Sequence, residues 1–237
     1  MKWLVSINTT GNSVGGLIGY QYRGYVNNCY TAGSVSGQGS VGGLVGAEFG
    51  SINNSYSLAT VTGTNAAGGL VGGISGYLLY GVRTSYSAGR VIGDTNVGGL
   101  IGYSNSGLVL NSFWDTQTSH QGSSAGGTGK SHANMRIKST FTNATWDFLG
   151  ETANGTNDYW RMCVDGVSYP LLTWEFSKYG DFFCPDGTDF KDFAILGAAW
   201  RTSTGDAGWN AICDISATTD GQIDLLDLTV LAANWLQ

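Results

Sequence analysis

The side chains best suited to chemistry in this 237-residue chain are aspartates gathered near its end. Residues 181–237 hold nine of the 17 acidic residues, all Asp, with only Lys191 and Arg201 to oppose them. They fall in two segments, DFFCPDGTDFKDFAILGAAW (181–200) and DISATTDGQIDLLDLTVLAANWL (214–236), which start 33 residues apart. Each opens on Asp, carries an Asp-Gly pair, and closes its loop on an Asp that leads into an apolar run ending at Trp. Calcium takes six to eight oxygen ligands at roughly 2.3–2.6 Å, and such a loop can supply them. The expected ligands are Asp181, Asp186, Asp189 and Asp192 in the first loop. In the second they are Asp214, Ser216, Asp220, Asp224 and Asp227. Gly187 and Gly221 would make the sharp turns. The plainer alternative is two acidic turns capping helix N-termini; duplication of the whole spacing without neutralising base favours the ion.

The elements that must position these carboxylates are helices. Phe190, Phe193, Leu196 and Trp200 recur on one helical face, as do Leu225, Leu228, Leu231 (or Ala232) and Trp235, so each half reads as a loop entering an amphipathic helix. This duplicated unit resembles a type I dockerin, the calcium module that docks enzymes onto cohesin modules. DGQIDLLDL in the second half carries the resemblance, and the first half matches loosely. The second span, Asp214–Asp227, is 14 residues, two longer than an EF-hand-type loop; the first is 12, with its glycine seventh instead of sixth. The resemblance implies Ca2+ as the bound ion and a cohesin-like protein module as partner. It also implies that the pairs before each terminal acid, Phe190-Lys191 and Leu225-Leu226, take part in choosing that partner. Cys184 lies in the first loop and Cys213 just before the second. If the loops pair face to face, a Cys184–Cys213 disulfide would staple a unit of about 57 residues, too small to hold itself well. Cys29 and Cys163 are then separate thiols, and no CxxC motif suggests zinc or redox chemistry.

The preceding chain is a different physical object. Glycine is 38 of 237 residues, and residues 1–114 hold only six charged side chains. The blocks SVGGLIG (13–19), SVGGLVG (40–46), AAGGLVG (66–72) and NVGGLIG (96–102) place Leu17, Leu44, Leu70 and Leu100 at intervals of 27, 26 and 30. Second blocks come after them: NNCYTAGSVSG (27–37), NNSYSLATVTG (53–63) and RTSYSAGRVIG (83–93), then the degenerate LNSFWDTQTS (110–119). Short alternating runs punctuated by glycine read as strands and tight turns. A unit of this length with two or three strands fits one coil of a parallel β-helix-like solenoid, whereas a propeller blade needs about 40 residues. The four leucines would stack as an internal ladder beside Ile18, Val45, Val71 and Ile101. The blocks resemble the GLUG repeat of bacterial surface and secreted proteins, a repeat to which no catalytic residue is attached. Val5, Ile7 and Gly11 look like the tail of a preceding coil, so the chain is expected to be a fragment of a longer protein.

Between the two lies a capping segment. SHANMRI suggests a short helix with Ser131 at its N-cap, and DYWRMCV–DG–VSYPLLTWEF suggests a hairpin turning at Asp165-Gly166. Trp146, Phe148, Trp160, Tyr169, Leu171 and Trp174 supply bulk to close the end of the solenoid. The segment is similar to those found after such repeats in planctomycete-like secreted proteins. The expected fold is therefore mainly β: a β-solenoid of about four coils over 1–119, a cap over 120–176, and a small α calcium-binding, dockerin-like module over 177–237.

Other chemistry is sparse. Polysaccharide-cleaving β-helices need clustered carboxylates, but Glu48 and Asp94 fall in different loops and Asp115 at the solenoid's end. His120 and His132 read as solvated loop residues. Tyr20, Tyr22, Tyr25, Tyr77, Tyr80 and Tyr103 could stack on sugars. The formal charge of -6 opposes nucleic-acid binding, and no apolar run is long enough for a membrane helix. MKWLVSINTT lacks the apolar core of a signal peptide. The expectation is a non-catalytic secreted or cell-surface protein, a spacer or adhesive body with a docking module. The alternatives are the end of a larger carbohydrate-active enzyme and a glycan-binding solenoid.

Overall fold

The computed structural model describes residues 4–75, 81–176, 180–184, 188–216 and 220–235. The chain forms two compact units, Met1–Leu172 and Thr173–Gln237.

The first unit is built on a β-solenoid of four coils. The second coil shows its plan: Ser40–Gly42, Val45–Glu48, Ser51–Asn53, Tyr56–Ser57 and Thr60–Gly63. Five short strands therefore make a coil, where two or three were expected. Every pairing between successive coils is parallel and in register: Val45 lies between Ile18 and Val71, and Ile52 between Val26 and Val82. The extra strands come from an additional corner. Asn28, Asn54, Thr84 and Asn111 occupy equivalent places with φ of 55°, 46°, 43° and 48°, left-handed backbone that asparagine tolerates better than most residues. That corner breaks the second block of each repeat into separate facets.

The expected leucine ladder forms. Leu44, Leu70 and Leu100 are wholly buried beside Val45, Val71 and Ile101, while Leu17, in the first coil, is half exposed. The paired glycines before each leucine permit close stacking: a Cβ on Gly43 would lie 2.2 Å from the Gly69 carbonyl, and one on Gly69 equally near that of Gly99. A second ladder, Val35, Val61 and Val91 with Val41 and Ala67, fills the opposite corner. Incomplete turns flank the four coils. Leu4–Asn8 pairs with Ala32–Ser36, as expected for the tail of another coil. At the other end, Gly99 donates to the Ser123 carbonyl and Thr128–Lys130 pairs with Phe113–Asp115. The stretch expected to be a plain loop thus covers the last coil.

Buried hydroxyls hold the corners together. Ser55 and Ser85 each donate to the carbonyl two residues back, at 2.8 and 2.7 Å. Each also accepts the amide of the preceding coil's equivalent residue, Cys29 N and Ser55 N, at 3.1 Å. Ser112 continues the series, accepting from Ser85 N. Cys29 occupies the serine position of the first coil, with its Sγ 3.1 Å from the Asn27 carbonyl.

The cap packs on the solenoid's flank, not over its end as expected. One side of the coils presents stacked tyrosines, Tyr30, Tyr56 and Tyr86, with centroids 5.0 and 4.9 Å apart and rings within 8° of parallel. Trp146, Phe141, Phe148, Trp160 and Leu172 bury this stack, and the Tyr86 hydroxyl donates to the Pro170 carbonyl at 2.7 Å. The expected hairpin is present: Trp160–Met162 pairs antiparallel with Pro170–Leu172. Ser131 accepts from the Asn134 amide, but the expected short helix is a single 3-10 turn, Asn134–Arg136, capped by Ala133 instead of Ser131, with α1, Lys138–Thr142, just after it. Trp174, assigned to the cap, belongs to the second unit and is largely exposed.

The second unit contains α2, Phe190–Ala198, and α3, Leu225–Ala233. Phe182, Leu196, Ala199, Cys213, Ile223 and Leu231 form its core.

Candidate metal and docking site

Both halves of the second unit are organised around a buried aspartate. Asp192 Oδ1 accepts the Phe182 and Phe183 amides at 2.5 and 2.8 Å, and its Oδ2 accepts the Asp189 amide at 2.9 Å. Asp227 repeats this scheme with Ile215, Ser216 and Asp224 at 2.8, 2.9 and 2.9 Å. Asp189 and Asp224 cap α2 and α3, each forming a reciprocal capping box with the buried acid three residues on. Equivalent residues are 33 apart before the turn and 35 apart after it. The duplication read from spacing therefore extends to individual hydrogen bonds. Three donors to one carboxylate also explain how an acid survives wholly buried with no basic partner among the described residues.

The proposed calcium ligands are distributed unevenly. In the second half, Asp214 Oδ2 accepts the Gly221 amide, closing the loop. Asp214 Oδ1 and the hydroxyl of Ser216 are buried with no hydrogen-bond partner among the described residues. Buried oxygens left without donors fit a cation, so Asp214 and Ser216 are the residues best placed to hold one. Asp224 adjoins them through the cap, and Asp220, which is exposed, accepts from the Gln222 amide. In the first half Asp181 is buried, and Asp189 lies 3.8 Å from the Lys191 ammonium. Asp186 and Gly187 lie outside the described residues. Among the described residues, no three His, Cys, Asp or Glu side chains converge on one point.

Two expectations about this unit fail. Among the described residues the loops show no pairing with each other: Gln222 bridges to Ser203, and Thr188 to Trp235. The expected Cys184–Cys213 bridge does not form: Cys184 is disulfide-bonded while Cys213 is free, and Cys163, expected as a separate thiol, is disulfide-bonded too. Cys213 is a free thiol, fully buried at the end of the 3-10 turn Ala211–Cys213 against the apolar core.

The helix faces also differ from expectation. Leu196 and Leu231 point into the core, but Phe190, Phe193, Trp200 and Leu225 are exposed. Phe190, Phe193, Leu228, Ala232 and Trp235 line an open apolar groove of about 430 Å3. Trp235 meets Phe190 edge-on at 5.1 Å and Phe193 at 6.3 Å. Of the expected partner-selecting residues, Phe190, Leu225 and Leu226 are exposed. Lys191 sits 5.5 Å over the Phe183 ring.

In the first unit the structure corrects the reading of His132 as solvated. Its Nδ1 is 2.7 Å from the Oδ2 of buried Asp115 and 2.9 Å from the Tyr169 hydroxyl, which donates to the same oxygen at 2.5 Å. The Gln117 and Thr118 amides take Asp115 Oδ1. Burial would raise the Asp115 pKa, but the Tyr169, His132, Thr118 and Gln117 hydrogen bonds outweigh it and hold the carboxyl below the ordinary 3.8. Burial and the Asp115 charge push the Tyr169 phenol above its usual range. The cluster ties the last coil to the hairpin, and no serine or cysteine is hydrogen-bonded to His132 among the described residues.

Glu48, expected in a loop, is wholly buried at the end of a strand, between Gln21 and Ile74 of the neighbouring coils. Neither of its carboxyl oxygens has a hydrogen-bond partner among the described residues. Burial pushes its pKa up to about 7, and the Gly50 amide, short of hydrogen-bonding geometry, offsets only part of this. Tyr20, Tyr22, Tyr25 and Tyr103 are exposed; Tyr77 and Tyr80 lie outside the described residues.

No family model matches the chain, and no solved structure matches it. The chain is similar to a protein of Evansella cellulosilytica described as a Gly-rich membrane protein, with 35% identity over 244 residues. The match covers 97% of this chain and 21% of the relative, so the chain spans about a fifth of that protein's length. No described helix here is long and apolar enough to cross a membrane.

Proposed function

We propose that this chain is a non-catalytic secreted or cell-surface segment in which a β-solenoid spacer carries a calcium-dependent docking unit. The observation that carries the reading is the apolar groove of Phe190, Phe193, Leu228, Ala232 and Trp235 beside two hydrogen-bond-equivalent acidic loops. Exposed contiguous apolar surface of this kind marks an interaction site, and dockerin-like modules present their helices to a cohesin-like partner. Calcium, held in the second half by Asp214 and Ser216 with Asp220, Asp224 and Asp227 around them, would neutralise the loop and fix α3. Phe190, Leu225 and Leu226 would meet the partner. Any polysaccharide-degrading activity of a longer parent would then reside outside these 237 residues.

The test is binding of the full chain to a panel of cohesin modules with calcium and with chelator. Calcium-dependent capture that Phe190→Ser weakens at least tenfold supports the reading. Retention that ignores both chelator and Phe190→Ser refutes it.

A further inference from the structure

The left-handed corner of the solenoid carries a second surface unrelated to the acidic unit. Asn27, Asn53 and Arg83 are successive rungs of one parallel ladder, about 4.8 Å apart. Beside them run the left-handed Asn28, Asn54, Thr84 and Asn111. Together with Tyr159 of the cap they line a cavity of about 480 Å3, within the range of small-ligand sites. Internal hydrogen bonds use only part of its polar capacity. Asn53 Nδ2 donates to Asn27 Oδ1 at 2.9 Å, and the Thr84 hydroxyl donates to Asn54 Oδ1 at 2.6 Å. The Asn27 and Asn54 amide nitrogens and the Arg83 guanidinium make no hydrogen bond or ion pair among the described residues, and no carboxylate lines the cavity. The site is thus rich in unused donors, with one cation and an aromatic ring.

We propose that this corner is a binding groove for a hydroxyl-rich polysaccharide that bears occasional carboxylates. Carboxamides at regular rung spacing suit hydroxyl pairs repeated along an extended sugar chain. Tyr159 offers a ring for a sugar face. Arg83 presents the planar fork that matches a carboxylate. A single cation among amides suits one uronate in a mostly neutral stretch; a densely charged polymer would need more. The unit that carries the groove, Met1–Leu172, holds eight Lys and Arg against seven Asp and Glu, while the surplus acid lies in the other unit.

The full chain is titrated calorimetrically with glucuronic-acid-bearing xylo-oligosaccharides, with uncharged xylo-oligosaccharides of equal length, and with oligogalacturonate. The glucuronate-bearing oligosaccharide should bind at least tenfold tighter than the uncharged one. Arg83→Gln should erase that preference while preserving binding of the uncharged chain, and Tyr159→Ala should weaken both. Asn27→Asp, at an exposed position, should repel the acidic ligand and serves should Arg83→Gln misfold. Equal affinity for charged and uncharged chains, indifference to Arg83→Gln and Asn27→Asp, or tightest binding of oligogalacturonate would each overturn the proposal.

Discussion

The solenoid should lose stability as pH rises towards neutrality, and Glu48→Gln should abolish that loss. Glu48 is wholly buried, with Gln21 below it and Ile74 above, and among the described residues no donor reaches its oxygens in hydrogen-bonding geometry. A proton on the carboxyl removes its charge and can be shared with Gln21 Oε1, itself a buried acceptor without a partner. The pKa is raised from an ordinary 4.5 to about 7. A group raised in the folded state contributes fully below its unfolded value, and its contribution fades as pH climbs through the folded one. The loss therefore develops between about pH 4.5 and 7, and reaches roughly 3 kcal/mol at about 1.4 kcal/mol per pH decade. For a unit of this size that is a fall in Tm of roughly 6–12 °C. Glutamine keeps the shape, carries no charge, and can donate to Gln21. Thermal melts of the wild-type chain and Glu48→Gln between pH 5 and 9 should converge at pH 5 and separate above 7, the variant melting higher. Asp115 works in the opposite sense and below its ordinary 3.8, so it does not blur this window. Parallel profiles, or a wild-type chain more stable at pH 8 than at pH 5, would refute the reasoning.

Three further outcomes are expected. Ser85→Ala strands the Ser55 amide in a buried corner, so it should cost roughly 1–3 kcal/mol in urea titration; Ser85→Cys should cost less, since Cys29 holds the equivalent place. Non-reducing peptide mapping should recover Cys163 and Cys184 each in disulfide-linked peptides, and thiol labelling should reach Cys213 only on unfolding, because it is fully buried. Calcium should raise hydrogen-exchange protection more in 214–227 than in 181–192, and Asp227→Ala should remove that gain by releasing three amides from its carboxylate; protection indifferent to calcium would count against the docking proposal.

Local periodicity made much of the fold legible. The Gly-Gly-Leu blocks give the coil, its leucine ladder and its parallel register, because a solenoid repeats one short-range pattern. The duplicated acidic loops were legible for the same reason, down to the equivalence of Asp192 with Asp227. What escaped is set by contacts distant in sequence. Asp115, His132 and Tyr169 meet across separations of 17, 37 and 54 residues, and no spacing rule connects them. Glu48 comes after Ala47 in what reads as a strand's polar end, and only stacking on Gln21 and Ile74 turns it inward. The left-handed corner could have been found: NNCY, NNSY, RTSY and LNSF align a turn-tolerant residue before each small one. Cys213 was misassigned because the loops were assumed to face each other, an arrangement fixed by tertiary pairing with Ser203 and Trp235.

The flank on which the tyrosines stack changes how the coils can come apart. In a bare solenoid each repeat touches only its neighbours, so opening can begin at any boundary and travel coil by coil. Here Tyr56, Tyr86 and Phe113, from three successive coils, are buried against one aromatic cluster containing Trp146, Phe141 and Trp160. A coil cannot detach from its neighbour without also leaving a surface that its neighbours share. The clasp therefore converts a chain of local equilibria into a single opening event for these coils, joining residues that would otherwise exchange independently. Under a pulling force along the stack, this part should resist as one body and then yield all at once.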